Sequence, residues 1–303
     1  MNHTGRTPLV AVGVDGTTEA DEAAHYAAAV ARDRGWDLMA VYCYQIPPAT
    51  AGMSAQFVTR TLEDAETLVN DVLSGLRLGT RTRVQRMVTA ASPIAALRDA
   101  SRIAALLVLG RHHFNLSDQL LTGRVGSAVA AGANCPVVVV PPGWIRTDAV
   151  GRSVVVALDV ESPAESTLRC AFEEAEWRQA DVVAMHAIPI YGEGSFFSEE
   201  RASLGAVLAG AKQDHPDVEV RTLLVSGDPP VRIVEESVVA RLMVVGRPHH
   251  GHHLGSWSRS VARAVMDRSL CPLLIAPPVP ATGRDEALSG SSSPGLRAVA
   301  PGI

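Results

Sequence analysis

No apolar run in this chain approaches the roughly 18 residues that a membrane-spanning helix needs. Runs such as Ala104 to Leu109 and Val137 to Val140 stop far short. Met1 to Val10 carries no secretory hydrophobic region, and the expectation is a soluble, cytoplasmic chain with no membrane partner. Positive charge is also scarce. With 27 basic residues against 32 acidic ones the net charge is −5, which gives nucleic acid no electrostatic footprint. The four cysteines, Cys43, Cys135, Cys170 and Cys271, form no CxxC pair and no metal-finger spacing. Free thiols in a reducing compartment are expected. Glycine (25) and proline (19) amount to about 15% of the 303 residues, below the roughly 25–30% of low-complexity chains. At about 150 residues per domain the length fits two compact domains.

Several catalytic signatures are missing too. Gly13-Val14-Asp15-Gly16 is no dinucleotide fingerprint, and neither GxxxxGK[ST] nor GxSxG occurs. Dehydrogenase, P-loop and hydrolase readings therefore lack their defining residues. No paired carboxylate, lysine or serine stands beside an obvious base to activate water, so the chain is not expected to be an enzyme.

What the sequence does contain is a duplication. Gly110-Arg111-x-His113 recurs as Gly246-Arg247-x-His249, 136 positions later, and Cys135-Pro136 and Pro141-Pro142 recur at the same displacement as Cys271-Pro272 and Pro277-Pro278. Near each start the displacement is 144, with Val14-Asp15 facing Leu158-Asp159. The first copy thus carries eight extra residues, most naturally in a loop from Gln45 to Gly52. Within each copy, short β-branched runs such as Leu9 to Val14 and Val154 to Leu158 read as buried parallel strands. They alternate with helical stripes, best seen in Val58, Leu62, Ala65, Val69, Val72 and Leu76. Five strands and four helices, twice over, predict two tandem doubly wound α/β domains with five-stranded parallel sheets. Their expected bounds are 1–143 and 151–280. The tail, 281–303, has no apolar period and is expected to be disordered.

Ligands of open α/β sheets bind beyond the carboxyl ends of the strands, at the point where the winding direction reverses. That rule selects the loop after strand one, holding Asp15-Gly16-Thr17-Thr18 or Asp159-Val160-Glu161-Ser162, and the loop after strand four, from Gly110 or Gly246. An acid beside a glycine-containing anion loop suits a nucleotide. An Asp at a strand end is as readily a cap, and Thr17, Thr18 or Ser162 can serve equally well.

These residues make the chain similar to the universal stress protein family in its tandem, two-domain form. The resemblance rests on V-x-V-D-G-T from Val12 to Thr17, L-V-L-G-R from Leu107 to Arg111, M-V-V-G-R from Met243 to Arg247, and the C-P-V-V-V-V and C-P-L-L-I stretches from Cys135 and Cys271. It implies a Rossmann-like fold and a stress-response role without established catalysis, with ATP or a related adenine nucleotide as the cofactor. Nucleotide-binding members carry G-x2-G-x9-G-[ST] after strand four. Here Gly110 and Gly123 match while His113 and Arg124 replace the second glycine and the hydroxyl residue. In copy two Gly246 and Ser260 match, while His249 and Arg259 do not. The resemblance places the nucleotide sites on Asp15, Gly16, Val41, Gly110, His113, Gly123 and Arg124, and on Asp159, Gly246, His249 and Ser260. It also implies that the two domains pair with each other as a pseudo-dimer through their last strands.

The expected function is a non-catalytic sensor or adaptor with a degenerate nucleotide site in each domain, acting on a protein partner and able to form a homodimer. A ligand-free interaction module, or a metal-binding or weakly nucleotide-hydrolysing protein, are the alternatives. Metal enters because His112, His113, His249, His250, His252 and His253 cluster in the two loops after strand four. Cys135 and Cys271, each before a proline and a buried strand, read as small core residues.

Overall fold

The computed structural model describes residues 7–44, 55–111, 122–144, 153–162, 164–188, 194–247 and 261–278. The N-terminal half contains β1 (Leu9–Val14), α1 (Thr18–Arg34), β2 (Asp37–Cys43), α2 (Ala55–Ser74), β3 (Val84–Thr89), α3 (Pro93–Ala100), β4 (Leu106–Gly110), α4 (Thr122–Gly132) and β5 (Val137–Val140). The C-terminal half repeats it with β6 (Val154–Ala157), α5 (Glu165–Arg178), β7 (Val182–Ile188), α6 (Gly194–Asp214), β8 (Val220–Ser226), α7 (Pro229–Glu236), β9 (Leu242–Gly246), α8 (Val261–Arg268) and β10 (Leu273–Ala276). The expected strands and helices are all present, with ends moved by no more than three residues. The Gln45 to Gly52 loop and the 281–303 tail lie outside the described residues.

Each half winds its five parallel strands in both directions from β1 or β6, and the halves fuse into one ten-stranded sheet of order β3-β2-β1-β4-β5-β10-β9-β6-β7-β8. The seam is antiparallel: Leu273 lies opposite Val139, Leu274 opposite Val138 and Ile275 opposite Val137. All four residues of β5 and all four of β10 are buried. An unpaired strand edge of this apolarity invites wrong pairing, and the seam removes both edges at once.

Two cores sandwich the sheet. On one face α1, α2, α5 and α6 cover Val10, Val12, Val154 and Val156, with Phe172, Leu204 and Leu208 at zero or near-zero exposure. On the other, α3, α4, α7 and α8 cover Leu107, Leu109, Met243 and Val245. Strand residues buried on both faces explain the unbroken β-branched runs in the sequence. Each core draws residues from both halves.

The helices start and stop for local reasons. Thr17 caps α1 by accepting from Ala20 N at 3.3 Å, and Gly35 ends it at φ 65°. Ser92 caps α3 in the same way, with Pro93 in the first turn. Ser162 does not cap α5: Ala164 stands at that position with no side-chain bond, and the Ser162 hydroxyl is donated to Asp159 instead.

Candidate functional site

Parallel pairing brings the two selected loops together in each half. Val12 lies beside Val108, so β1 and β4 end together at Val14 and Gly110. Ala157 lies beside Val245, so β6 and β9 end together at Leu158 and Gly246. Asp15 and Asp159 thus emerge at the reversal points of the winding, next to the chain that leaves β4 and β9.

At Asp15 the carboxylate is engaged locally. Its Oδ1 accepts from the Thr17 amide at 3.0 Å and from the Thr17 hydroxyl at 2.6 Å, while Thr17 caps α1. Gly16 has φ 82°, where a side chain is strained. Asp159 repeats the arrangement, accepting from Glu161 N at 3.1 Å and from the Ser162 hydroxyl at 2.7 Å. Both acids remain exposed.

The first glycine of each motif has a packing cause. A Cβ on Gly110 would lie 2.3 Å from the carbonyl oxygen of Glu19, and one on Gly246 would lie 2.7 Å from Thr167 Oγ1. The opening turn of α1 or α5 presses on the strand end, and only a bare backbone fits beneath it. Val41 lies beside Gly13 in register and is 2% exposed, its side chain in the core under α3 and α4. Gly123 and Arg124 fall in the first turn of α4. His113, His249 and Ser260, with His112, His250, His252, His253 and Arg259, lie outside the described residues.

A cavity of about 540 Å³ opens next to Gly16, between α1 and α2. Its walls carry Asp21, Asp64, Asp71 and His25 over a floor of Leu68 and Val72. Three carboxylates repel phosphate, so this cavity by itself is no anion site. Among the described residues no group of three His, Cys, Asp or Glu side chains is assembled to hold a metal, and no helix is long and apolar enough to cross a membrane.

The arginine of each Gly-Arg motif serves the seam. The Arg111 guanidinium donates to the carbonyl of Ser269 at 2.6 Å and of Met266 at 3.4 Å, at the carboxyl end of α8. Arg247 donates to Ala133 at 2.8 Å and Ala130 at 3.1 Å, at the carboxyl end of α4. Burial lowers both guanidinium pKa values, yet carbonyls at a helix end favour a cation. On the other face Glu174 is shared by Arg34 (2.7 Å) and Arg178 as an ion-paired trio. Arg178 also donates to the Tyr26 hydroxyl at 2.8 Å, and the two guanidiniums lie 4.2 and 4.6 Å from the Trp177 ring centre. Arg34 and Arg178 stand 144 positions apart, at the same place in α1 and α5. Sequence reasoning missed both sets. The repeat of Gly-Arg was the available signal for the first.

Comparison with known proteins matches the sequence profile of the Universal stress protein family to residues 9–141 and again to 151–277. A universal stress protein of Mycobacterium tuberculosis is 28% identical over 286 residues, covering 88% of this chain and 96% of the relative. One of Mycolicibacterium smegmatis is 29% identical over 290 residues, covering 89% and 97%. Among solved structures, a universal stress protein from Archaeoglobus fulgidus superimposes with a TM-score of 0.67 at 15% identity, over 90% of this chain and 97% of that one, a likeness of fold.

Proposed function

The chain belongs to the universal stress protein family in tandem form, and on that premise we propose that it is a cytoplasmic, non-catalytic adaptor whose N-terminal half senses an adenine nucleotide. The observation that carries this reading is the meeting of an acid-glycine turn, Asp15-Gly16, with the end of β4 at a reversal point of the sheet. An exposed carboxylate there can accept from a nucleoside's hydroxyls or amino group, and a guanidinium such as that of Arg124, a residue of the first turn of α4, suits phosphate. The site is degenerate. Two of four family positions differ in each half, and each lost charge-assisted contact to phosphate costs roughly 1.5–3 kcal/mol. Arg124 has Ser260 as its counterpart, so ATP is assigned to the N-terminal half alone.

A ligand-free interaction module is the second reading, favoured by the local engagement of Asp15 and Asp159 and the acidic cavity at Gly16. Mass spectrometry of small molecules released from the native protein, with calorimetry of the full chain against ATP, separates the two. The sensing reading expects binding that is lost in Asp15→Ala and in Arg124→Ala. Absence of any nucleotide in both experiments favours the module.

A further inference from the structure

His186 stands at the carboxyl end of β7, one residue past Met185, which pairs with Ala157 of β6. Its Nδ1 lies 2.9 Å from the carbonyl oxygen of Leu158, which only accepts, so Nδ1 carries a proton. Its Nε2 lies 3.2 Å from Oε2 of Glu200 on α6, and the two side chains are 12% and 18% exposed. That carboxylate oxygen is buried without a hydrogen bond of its own. With Nδ1 already protonated, a neutral ring would turn its Nε2 lone pair toward the carboxylate's lone pairs in a site nearly closed to water. At this separation the pair attracts only when it carries one further proton, as an ion pair rather than an aligned hydrogen bond.

We propose that His186 and Glu200 form a proton-dependent latch that fastens α6 to the strand ends of the C-terminal half, closed while the pair holds this proton and open once it is lost. From β8 the register partner of His186 is the uncharged Leu224. From β6 the nearest acid in sequence is Asp159, whose oxygens accept from Glu161 N and the Ser162 hydroxyl. Glu200 therefore sets the charge that the ring meets. The N-terminal half has Tyr42 at the matching position, which confines the latch to one half.

The opposite end of α6 supplies an internal control. His215 lies over Phe172 with ring centres 5.4 Å apart, and its Nδ1 is 3.3 Å from Oε2 of Glu176 on α5. Lys212, Asp214 and Asp217 flank it within three residues. Here Nδ1 makes no hydrogen bond, and Glu176, 58% exposed, can turn to water.

Hydrogen exchange of the full chain, corrected for the intrinsic pH dependence of exchange, tests the latch while NMR follows the imidazole resonances. As His186 loses its proton, amides from Glu200 to Leu204 are expected to exchange at least tenfold faster, whereas those from Ala211 to His215 hold. Glu200→Gln, whose amide donates to a neutral ring, is expected to keep α6 protected at every pH. His186→Gln cannot titrate and removes the dependence whatever its own level of protection. Exchange in α6 that stays flat through the His186 titration, or a pH dependence surviving in either variant, overturns the proposal.

Discussion

Cys135 and Cys271 each precede a proline at the entry to a central strand, and burial pushes their thiols up to about 12 and about 11. Cys170, inside α5, is pushed up to about 11 for the same reason. Thiolates are the reactive form, so these three are inert in the folded chain, and half-buried Cys43 is the one expected to react with a thiol reagent at neutral pH. The pH consequence has a definite sign. Between the ordinary thiol value of about 8.5 and their raised values, the native chain keeps protons that the unfolded chain has released. Stability is fully present below that interval and falls as pH rises through it, by at most about 1.4 kcal/mol per pH unit for each thiol. Urea unfolding at several alkaline pH values should show this fall, and Cys135→Ala with Cys170→Ala and Cys271→Ala should flatten it. A slope unchanged in the triple variant would exclude the thiols as its source.

At the scale of the element, the two copies of one helix end differently, which permits a test by exchange of residues. Gly35 ends α1 at φ 65°, and Gln179, its match 144 positions on, ends α5 at φ 48°. A left-handed conformation costs a non-glycine residue roughly 1–2 kcal/mol. Gln179→Gly is therefore expected to stabilise the chain by about 0.5–1 kcal/mol, net of glycine's own entropy in the unfolded state. Gly35→Gln should destabilise it, and chemical denaturation of both variants reads the pair. Elements of this kind were legible because their causes are local. β-branched runs marked β1, β5 and β6, and Pro93 suits the first turn in which α3 begins. The bonds of Ser162 were not legible, because a hydroxyl beside both Asp159 and a helix start can serve either. The candidate acids were readable as strand ends. His186 and Glu200 were not, since they belong to different elements and have no repeated counterpart. Arg111 and Arg247 were visible only as a repeated motif, because their acceptors are backbone carbonyls that leave no mark in the sequence and lie up to 158 residues away.

For the whole molecule, the question is what makes two halves behave as one. The seam between β5 and β10 supplies three paired positions, and the two cores run through it without interruption. Each Arg latch adds a cation placed on the helix end of the opposite half, and the latches are related by the same repeat that relates the halves. Arg111 precedes the segment leading into α4, and Arg247 caps the far end of α4; the relation of Arg247 and Arg111 to α8 is the mirror of this. Hydrogen bonds from a charged donor contribute about 1.5–3 kcal/mol each, so Arg111→Ala and Arg247→Ala should each lower the unfolding free energy by about that amount. The parent chain is expected to unfold in one cooperative step, whereas the double variant, left with the seam and the Arg34-Glu174-Arg178 trio, should show tryptophan fluorescence and circular dichroism transitions that no longer coincide. Losses below about 0.5 kcal/mol in both single variants, with coincident transitions in the double, would show that the seam alone unites the halves.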